Sequence, residues 1–245
     1  RAPTRRQSRK RESPARVRVR PRAMPAAWRA GPLPHCDLDL HLGSPHTRTE
    51  RIVALLDKLP PGVELVLNGD TLDRSSGEMS DEHRVVSERL FAERKLRPLV
   101  WICGNHDVLF QPPELEVLET YQVSPGVMVA HGHHFHGSCK WLRPFFRICK
   151  ALIWLRTSCH GSGIHPAAYA KRWPTLYSWL RKEVRDNARR FAKAQGCEVM
   201  ICGHVHFSED STADGIRYVN SGAWTEDSTH CVLIYEDQRT ELVED

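Results

Sequence analysis

The sequence predicts an α/β fold, in which strands and helices alternate along a chain of 245 residues. Short runs of β-branched and apolar residues, several of them ending at a glycine, predict the strands. Between these runs, apolar residues recur at helical spacing and predict the helices. With 40% apolar residues the chain can also form a sizeable core.

The predicted elements run β-α-β-α-β, then helices, then three strands. A helix over 49–60 places leucines on one face and stops at Pro60, and a second one is capped by Ser80. The predicted helices cover 49–60, 80–96, 140–156 and 175–196. The predicted strands cover 62–70, 98–107, 126–137, 198–207, 216–224 and 231–237.

The first strand is the weakest element of this prediction. Pro32 and Pro34 stand where a buried strand would begin, and proline cannot donate a hydrogen bond in a central ladder. Only about "CDLDL" remains to pair, so we expect a short strand before Asp39 and weak metal retention at that point.

Charge divides the chain into a basic tail and a mildly acidic remainder. The whole chain carries +5 and residues 1–30 carry +10, so residues 31–245 carry −5. We expect 1–34, rich in Arg, Pro and Ala, to be a disordered basic tail, and 35–245 to be the folded domain. Because the folded part is not basic, nucleic acid is not expected as a partner.

The eight cysteines show no CxxC pair and no regular spacing. In a chain of this length they are typical of reduced thiols in a cytosolic protein, and not of a disulfide framework or a zinc ribbon. We therefore expect a cytoplasmic location.

Polar side chains of the kind that bind metals follow five predicted strands. Because side chains alternate along an extended strand, Asp39 and His41 can point at one ion, as can His204 and His206. A donor set of carboxylates, imidazoles and one amide suits manganese, iron or zinc. The five stretches are "DLDLHLG" (Asp39, His41), "NGDTLD" (Asp70, Asp73), "CGNHD" (Asn105, His106), "VAHGH" (His131) and "CGHVH" (His204, His206).

The order D-x-H, GD-x-x-D, GNHD, H, GHxH resembles that of the calcineurin-like metallophosphoesterases. The resemblance covers residues 37 to about 245 and implies a four-layer α-β-β-α sandwich with two divalent metal ions (Mn, Fe or Zn) between the strand ends. It implies that Asp39, His41 and His206 bind one ion. Asn105, His131 and His204 would bind the other, and Asp70 would bridge both.

The resemblance also implies how such a site would hydrolyse a phosphomonoester, a phosphodiester or a pyrophosphate. Two cations about 3.5–4 Å apart supply a bridging hydroxide that attacks phosphorus. His106 would protonate the leaving oxygen, with Asp73 as its orienting acid. Arg74 would contact a substrate phosphate, or is a solvated loop cation. We expect Asp107 to cap a turn, and most of His133, His134 and His136 to be exposed, with one supporting a ligand.

The sequence leaves the substrate and one other class of function open. A helical insertion or lid at 138–196 and the stretch "NSGAWTED" resemble the UDP-2,3-diacylglucosamine hydrolases of lipid A synthesis. On that alternative the substrate is a lipid-linked nucleotide, and 140–156 contacts the inner membrane peripherally. Differences at His106 and "HGHH" favour a broader phosphoesterase acting on a small phosphorylated substrate. A non-catalytic, retromer-type scaffold on the same fold is the other alternative.

Overall fold

The computed structural model describes residues 35–73, 79–107, 115–136 and 171–244. The predicted tail at 1–34, the phosphate contact Arg74 and the predicted helix at 140–156 therefore lie outside the described residues. The described residues contain eleven strands and three α-helices. The strands are β1 (His35–Leu38), β2 (Leu65–Asn68), β3 (Leu99–Ile102), β4 (Val117–Leu118), β5 (Tyr121–Ser124), β6 (Val127–Val129), β7 (Val199–Cys202), β8 (Glu209–Ala213), β9 (Ile216–Asn220), β10 (His230–Ile234) and β11 (Thr240–Glu244). The helices are α1 (Thr49–Lys58), α2 (Asp81–Ala92) and α3 (Pro174–Ala194).

The strands form two sheets. The first has the order β11-β10-β1-β2-β3-β4, and the second has the order β5-β6-β7-β9-β8. Neighbours from β1 to β4 are parallel, as are β6, β7 and β9, while the remaining pairs are antiparallel. Parallel neighbours bring the carboxyl ends of their strands to one edge of the sheet, where the predicted site residues follow.

Three apolar clusters hold four layers together. One cluster lies between the sheets and includes Val66, Val100, Ile201 and Val219. A second joins the first sheet to α1 and α2. A third joins the second sheet to α3, whose residues Val184, Ala188 and Ala192 are fully buried. The α-β-β-α sandwich implied by the resemblance is confirmed.

The predicted helices form where local signals favour them. Ser80 caps α2, because its side chain accepts a hydrogen bond from the backbone N–H of His83 at 3.4 Å. In α3, Pro174 occupies the first turn, where its missing N–H has no partner to lose. This helix forms the C-terminal part of the predicted insertion at 138–196 and packs directly on the second sheet. Residues 137–170 lie outside the described part of the chain.

The first strand is short, as the prolines before it predict. Its four residues are all buried, and β1 nevertheless lies in the middle of the first sheet, between β10 and β2. The next residues keep this support, because the backbone N–H of Trp224 donates to the carbonyl of Asp39 at 2.9 Å. The strand end that carries Asp39 and His41 is therefore held on both sides.

Candidate metal centre

The backbone turns sharply at several predicted ligands. His41, Asp70, His204 and His206 have φ values of 55, 48, 66 and 51°, in the left-handed region that residues other than glycine rarely adopt. Each such residue costs about 1–2 kcal/mol, and strain of this kind clusters at functional sites. The strands end before these residues and the turns aim their side chains at one another.

These turns correct one expectation from the sequence. Alternation along a strand was expected to bring His204 and His206 to the same ion, but β7 ends at Cys202 and both residues are left-handed. Their rings consequently point to different neighbours. The His206 ring lies 4.6 Å from that of His41, and the His204 ring lies 5.1 Å from that of His131. The resemblance assigns His206 and His204 to different ions, and this assignment stays a prediction.

Asp70 is the residue shared by two clusters of potential metal ligands. One cluster contains His41, Asp70 and His106, and the other contains Asp70, His131 and His204. Within each, the ligand atoms lie within 4.8 Å of one another. The Oδ2 atom of Asp70 lies 3.1 Å from His131 Nε2, 3.7 Å from His41 Nε2 and 3.8 Å from His106 Nε2. Its Oδ1 atom accepts the backbone N–H of His106 at 2.8 Å, which fixes the carboxylate.

Asp39 extends the first cluster. Its Oδ1 atom lies 3.2 Å from His41 Nε2, and both side chains are fully buried. Its Oδ2 atom accepts the backbone N–H of His204 at 2.9 Å, so that the same carboxylate anchors the turn after β7. The structure therefore brings Asp39, His41 and Asp70 together with His206, and His131 with His204.

Three glycines of the predicted motifs allow this close approach. A Cβ atom on Gly69 would lie 2.6 Å from the His131 ring. On Gly104 it would come within 3.0 Å of the backbone nitrogen of Asp70, and on Gly203 within 3.0 Å of the Asp39 carboxylate. Any side chain at these positions would displace a predicted ligand.

In each of four histidines of the centre, one ring nitrogen lies within hydrogen-bonding distance of another residue. The Nδ1 atom of His131 lies 2.7 Å from the carbonyl of Asn68, and that of His106 lies 3.0 Å from Asp73 Oδ1. The Nδ1 atom of His206 lies 3.3 Å from the hydroxyl of Thr225. For His204 the nitrogen held is Nε2, which lies 2.9 Å from Nε2 of His136. Asn68 and Thr225 are supporting residues that the motifs did not identify, whereas His136 is one of the three histidines among which a supporting residue was expected.

Charges within the centre shift the pKa values of its members. Burial lowers the pKa of His131, but the charge and hydrogen bonding of Asp70, the charge of Asp39 and the Asn68 carbonyl together outweigh this effect and raise that pKa to about 9. Burial raises the pKa of Asp70, yet the positive charges of His131 and His41 hold it well below its usual range. Burial and the neighbouring His131 and His136 lower the pKa of His204, so its imidazole is neutral.

The histidines after His131 differ in exposure. His134 is exposed, while His133 and His136 are half-buried. Burial, reinforced by the charge of His131, lowers the pKa of His133 to about 3. Burial also lowers the pKa of His136, which the Glu183 carboxylate on α3 partly opposes. The expectation that most of these three side chains are exposed is wrong for His133 and His136.

Two predicted residues occupy other positions in the loop after β3. Asn105 is exposed beside the part-exposed His106. Asp107 is buried and caps the turn as predicted, because its carboxylate accepts the backbone N–H groups of Gly104 at 2.7 Å and of Thr71 at 3.1 Å.

The donor atoms fit a divalent cation. Asp39 Oδ1 and His131 Nε2 are buried, and neither forms a hydrogen bond with any residue that the structure describes. Once His131 is deprotonated at Nε2, its lone pair faces the Asp70 carboxylate at 3.1 Å. A cation bound by the His131 nitrogen and the Asp70 carboxylate would remove that repulsion. Carboxylate oxygens together with imidazole nitrogens suit manganese, iron or zinc. The described cysteines are free thiols.

The sequence profile of the calcineurin-like phosphoesterases matches residues 39–208, well over half of the chain. The chain belongs to this family. Members of the family use divalent metals, in agreement with the donor set that surrounds Asp70. No curated protein matches the chain in sequence. None of the described helices combines the length and the apolar character of a membrane span.

Several solved structures are similar to this phosphoesterase-family chain. Wild-type Vps29 from Entamoeba histolytica, complexed with Zn²⁺, is 12% identical over 85% of this chain and 98% of its own, with a TM-score of 0.46. The phosphoesterase YfcE from E. coli is 14% identical over 86% of this chain and 98% of its own, with a TM-score of 0.43. An archaeal phosphodiesterase is 10% identical over 86% and 99%, with a TM-score of 0.41.

Proposed function

We propose that the protein is a dinuclear-metal-dependent phosphoesterase that hydrolyses a phosphomonoester, a phosphodiester or a pyrophosphate. The observation that carries this proposal is the position of Asp70. One of its oxygens lies within 3.8 Å of imidazole nitrogens from His41, His106 and His131, and so joins two clusters of donors. A carboxylate shared in this way is suited to bridge two cations.

Seven residues would hold the two ions. Asp39, His41 and His206 would bind one, His131 and His204 would bind the other, and Asp70 would bind both. The exposed Asn105 is a further ligand of the second ion only because the resemblance implies it. When bound, such ions act as Lewis acids toward phosphoryl oxygens and lower the pKa of water. The donor types make manganese, iron and zinc the candidate metals.

His106 would act as the general acid. Its Nδ1–H donates to Asp73 Oδ1 at 3.0 Å, which orients the ring and leaves Nε2 as the atom that delivers a proton to the leaving oxygen. The side chain is 30% exposed, so part of the ring is open to a substrate. Asp73 is a positioning residue, because it acts through His106. Arg74, which directly follows it, is a further candidate for contact with the phosphate.

The experiment is turnover of an aryl phosphomonoester with and without added manganese. We expect metal-dependent hydrolysis in the wild-type protein and in His134→Ala, which removes an exposed histidine. We expect almost none in His106→Ala. A wild-type protein that retains two bound ions without turnover of any phosphoester would contradict the proposal and favour a scaffold.

The substrate branch remains a separate prediction. In the stretch that resembles UDP-2,3-diacylglucosamine hydrolases, Trp224 is fully buried and its indole N–H donates to the carbonyl of His230. This side chain therefore supports the fold and gives no information on the substrate. A panel of aryl phosphomonoester, aryl phosphodiester, UDP-2,3-diacylglucosamine and cyclic nucleotide decides the branch. We propose a small phosphorylated substrate and a cytoplasmic location, with contact of 140–156 to the inner membrane only on the lipid-linked alternative.

A further inference from the structure

The Nε2 atoms of His136 and His204 lie 2.9 Å apart. We propose that His136 is a positioning residue for His204. It accepts the proton on Nε2 of His204 and thereby leaves Nδ1 of that ring bare as the metal-binding atom. The inference rests on the proposed function, because it assumes that His204 binds one of the two ions.

His204 is hydrogen-bonded through the opposite ring nitrogen from His131 and His106. His131 uses Nδ1 to bond the Asn68 carbonyl and directs Nε2 toward Asp70, 3.1 Å away. His106 uses Nδ1 to bond Asp73 and has Nε2 on the side of Asp70. In His204, Nε2 bonds His136, and only Nδ1 remains for an ion.

Proton counting fixes the direction of the bond between the two rings. Only one proton can lie between the Nε2 atoms, and an imidazole binds a metal through a nitrogen without a proton. If His136 donated, the lone pair on His204 Nε2 would be used and Nδ1 would carry the proton. His204 could then not bind the ion. His204 must therefore donate and His136 accept, which puts the remaining proton of His136 on its Nδ1.

Different parts of the fold hold the two histidines: α3 supports the turn before His136, and the end of the first sheet supports His204. A 3-10 turn, His133–Phe135, precedes His136, and Asn187 of α3 donates to the carbonyl of Phe135 at 2.6 Å. The Phe135 ring also lies 5.5 Å from that of Phe191 on the same helix. The backbone of His204 is anchored separately by the Asp39 carboxylate. Because the backbone on each side is anchored separately, we expect the 2.9 Å contact between the rings to form without a bound metal.

The direct test reads the tautomer of His204 in metal-free protein by long-range ¹H–¹⁵N NMR of the imidazole nitrogens. We expect a protonated Nε2 and a bare Nδ1 in the wild-type protein, and a redistributed tautomer in His136→Leu. A wild-type His204 protonated at Nδ1 overturns the proposal. This measurement needs no bound ion, so it stands even if the wild-type protein proves to bind no divalent metal and the proposed function fails.

The second test is a metal titration of His136→Leu, His136→Gln and the matched control His134→Leu. Removing a supporting partner of a metal-binding histidine typically weakens metal affinity about 10–100-fold. We expect that loss for one of the two ions in His136→Leu, with the other unchanged. His136→Gln keeps a carbonyl acceptor and should recover most of the affinity, and His134→Leu should bind as the wild type does. Equal losses in the Leu variants, or no loss in His136→Leu, overturn the proposal.

Discussion

The Asp73 carboxylate lies 3.0 Å from Nδ1 of His106 and 3.9 Å from Nδ1 of His41. It thus contacts the proposed general acid from the side away from Asp70. Because the charge of Asp73 favours a proton on Nδ1 of His106, it selects the ring orientation in which Nε2 is available to a substrate. The contact predicts a hierarchy of effects on catalysis.

Removal of the general acid should lower kcat while the metal content stays the same. We expect His106→Ala to lower kcat by about 10²–10⁴-fold, the usual contribution of general acid catalysis. The kcat of the variant for an aryl phosphomonoester, measured beside its metal content, checks this. An equal fall in kcat and in bound metal would instead assign His106 to metal binding.

Loss of the Asp73 charge should lower kcat less than loss of His106, and it should act through the His106 ring. We expect Asp73→Asn to lower kcat by about 10-fold, a smaller effect than that of His106→Ala. The double variant should match His106→Ala alone, because residues that act as a unit are not additive. Steady-state kinetics on the four proteins of this cycle measure the coupling. Independent, additive losses would show that Asp73 does not act through His106.

The close approach at Gly203 predicts a selective loss of metal. In Gly203→Ala the added Cβ would overlap the Asp39 carboxylate and push it from the first cluster, so we expect weaker retention of one ion. Gly196→Ala is the matched control. A Cβ added at Gly196 would have nothing within 4 Å, although the φ of +75° at this position makes alanine strained by about 1–2 kcal/mol. Metal content after dialysis compares the two, and equal metal loss would contradict the role of Gly203.

The pKa of His131 predicts proton release when metal binds. In the metal-free protein Asp70 raises the pKa of His131 from 6.5 to about 9, so at about pH 7.5 the ring is protonated. Metal binding requires the neutral ring and must displace this proton. Calorimetric titration in buffers of different ionisation enthalpy should therefore show about one more proton released at about pH 7.5 than well above pH 9, where the ring is already deprotonated. Equal release at both pH values would show that His131 is not a ligand.

The same pKa shift gives a sign for the stability of the metal-free protein. A raised pKa means that the folded state binds the proton more tightly than the unfolded state. The proton on His131 therefore contributes its full stabilisation below about pH 6.5 while Asp70 is ionised, and this contribution is lost as the pH rises through about 9.

The sequence was sufficient for the elements that carry the site. The β-branched run before Gly69 and Asp70 predicts a strand, and β2 lies there. The helical spacing of Ile52, Leu55 and Leu56 predicts α1, and all three are buried. These elements follow from local periodicity, which tertiary packing preserves.

The edge strands could not be found in this way. β8 is polar through Glu209 and Thr212 and forms because it completes the second sheet beside β9. The pair Asp214 and Gly215, with φ values of 53 and 77°, is the one local signal for this hairpin. Strand pairing of this kind depends on a neighbour and not on the strand's own residues.

The hydrogen bonds and backbone turns that orient the predicted ligands could not be predicted from the sequence. His131 bonds the backbone carbonyl of Asn68, which any residue type would provide, so no motif can indicate it. The left-handed turns at His41 and His204 arise from tertiary contacts, and a strand pattern predicts extended backbone in their place. The residue types of the ligands were readable, whereas the directions of their side chains were not.

The metal content of Asp70→Asn tests the central claim most directly, with Asp39→Asn as its matched control. We expect two divalent ions in the wild-type protein after dialysis, one in Asp39→Asn, and the joint loss of both in Asp70→Asn, because Asp70 belongs to both clusters and Asp39 extends only the first. An Asp70→Asn protein that still retains one ion as tightly as Asp39→Asn does would contradict a shared, bridging carboxylate.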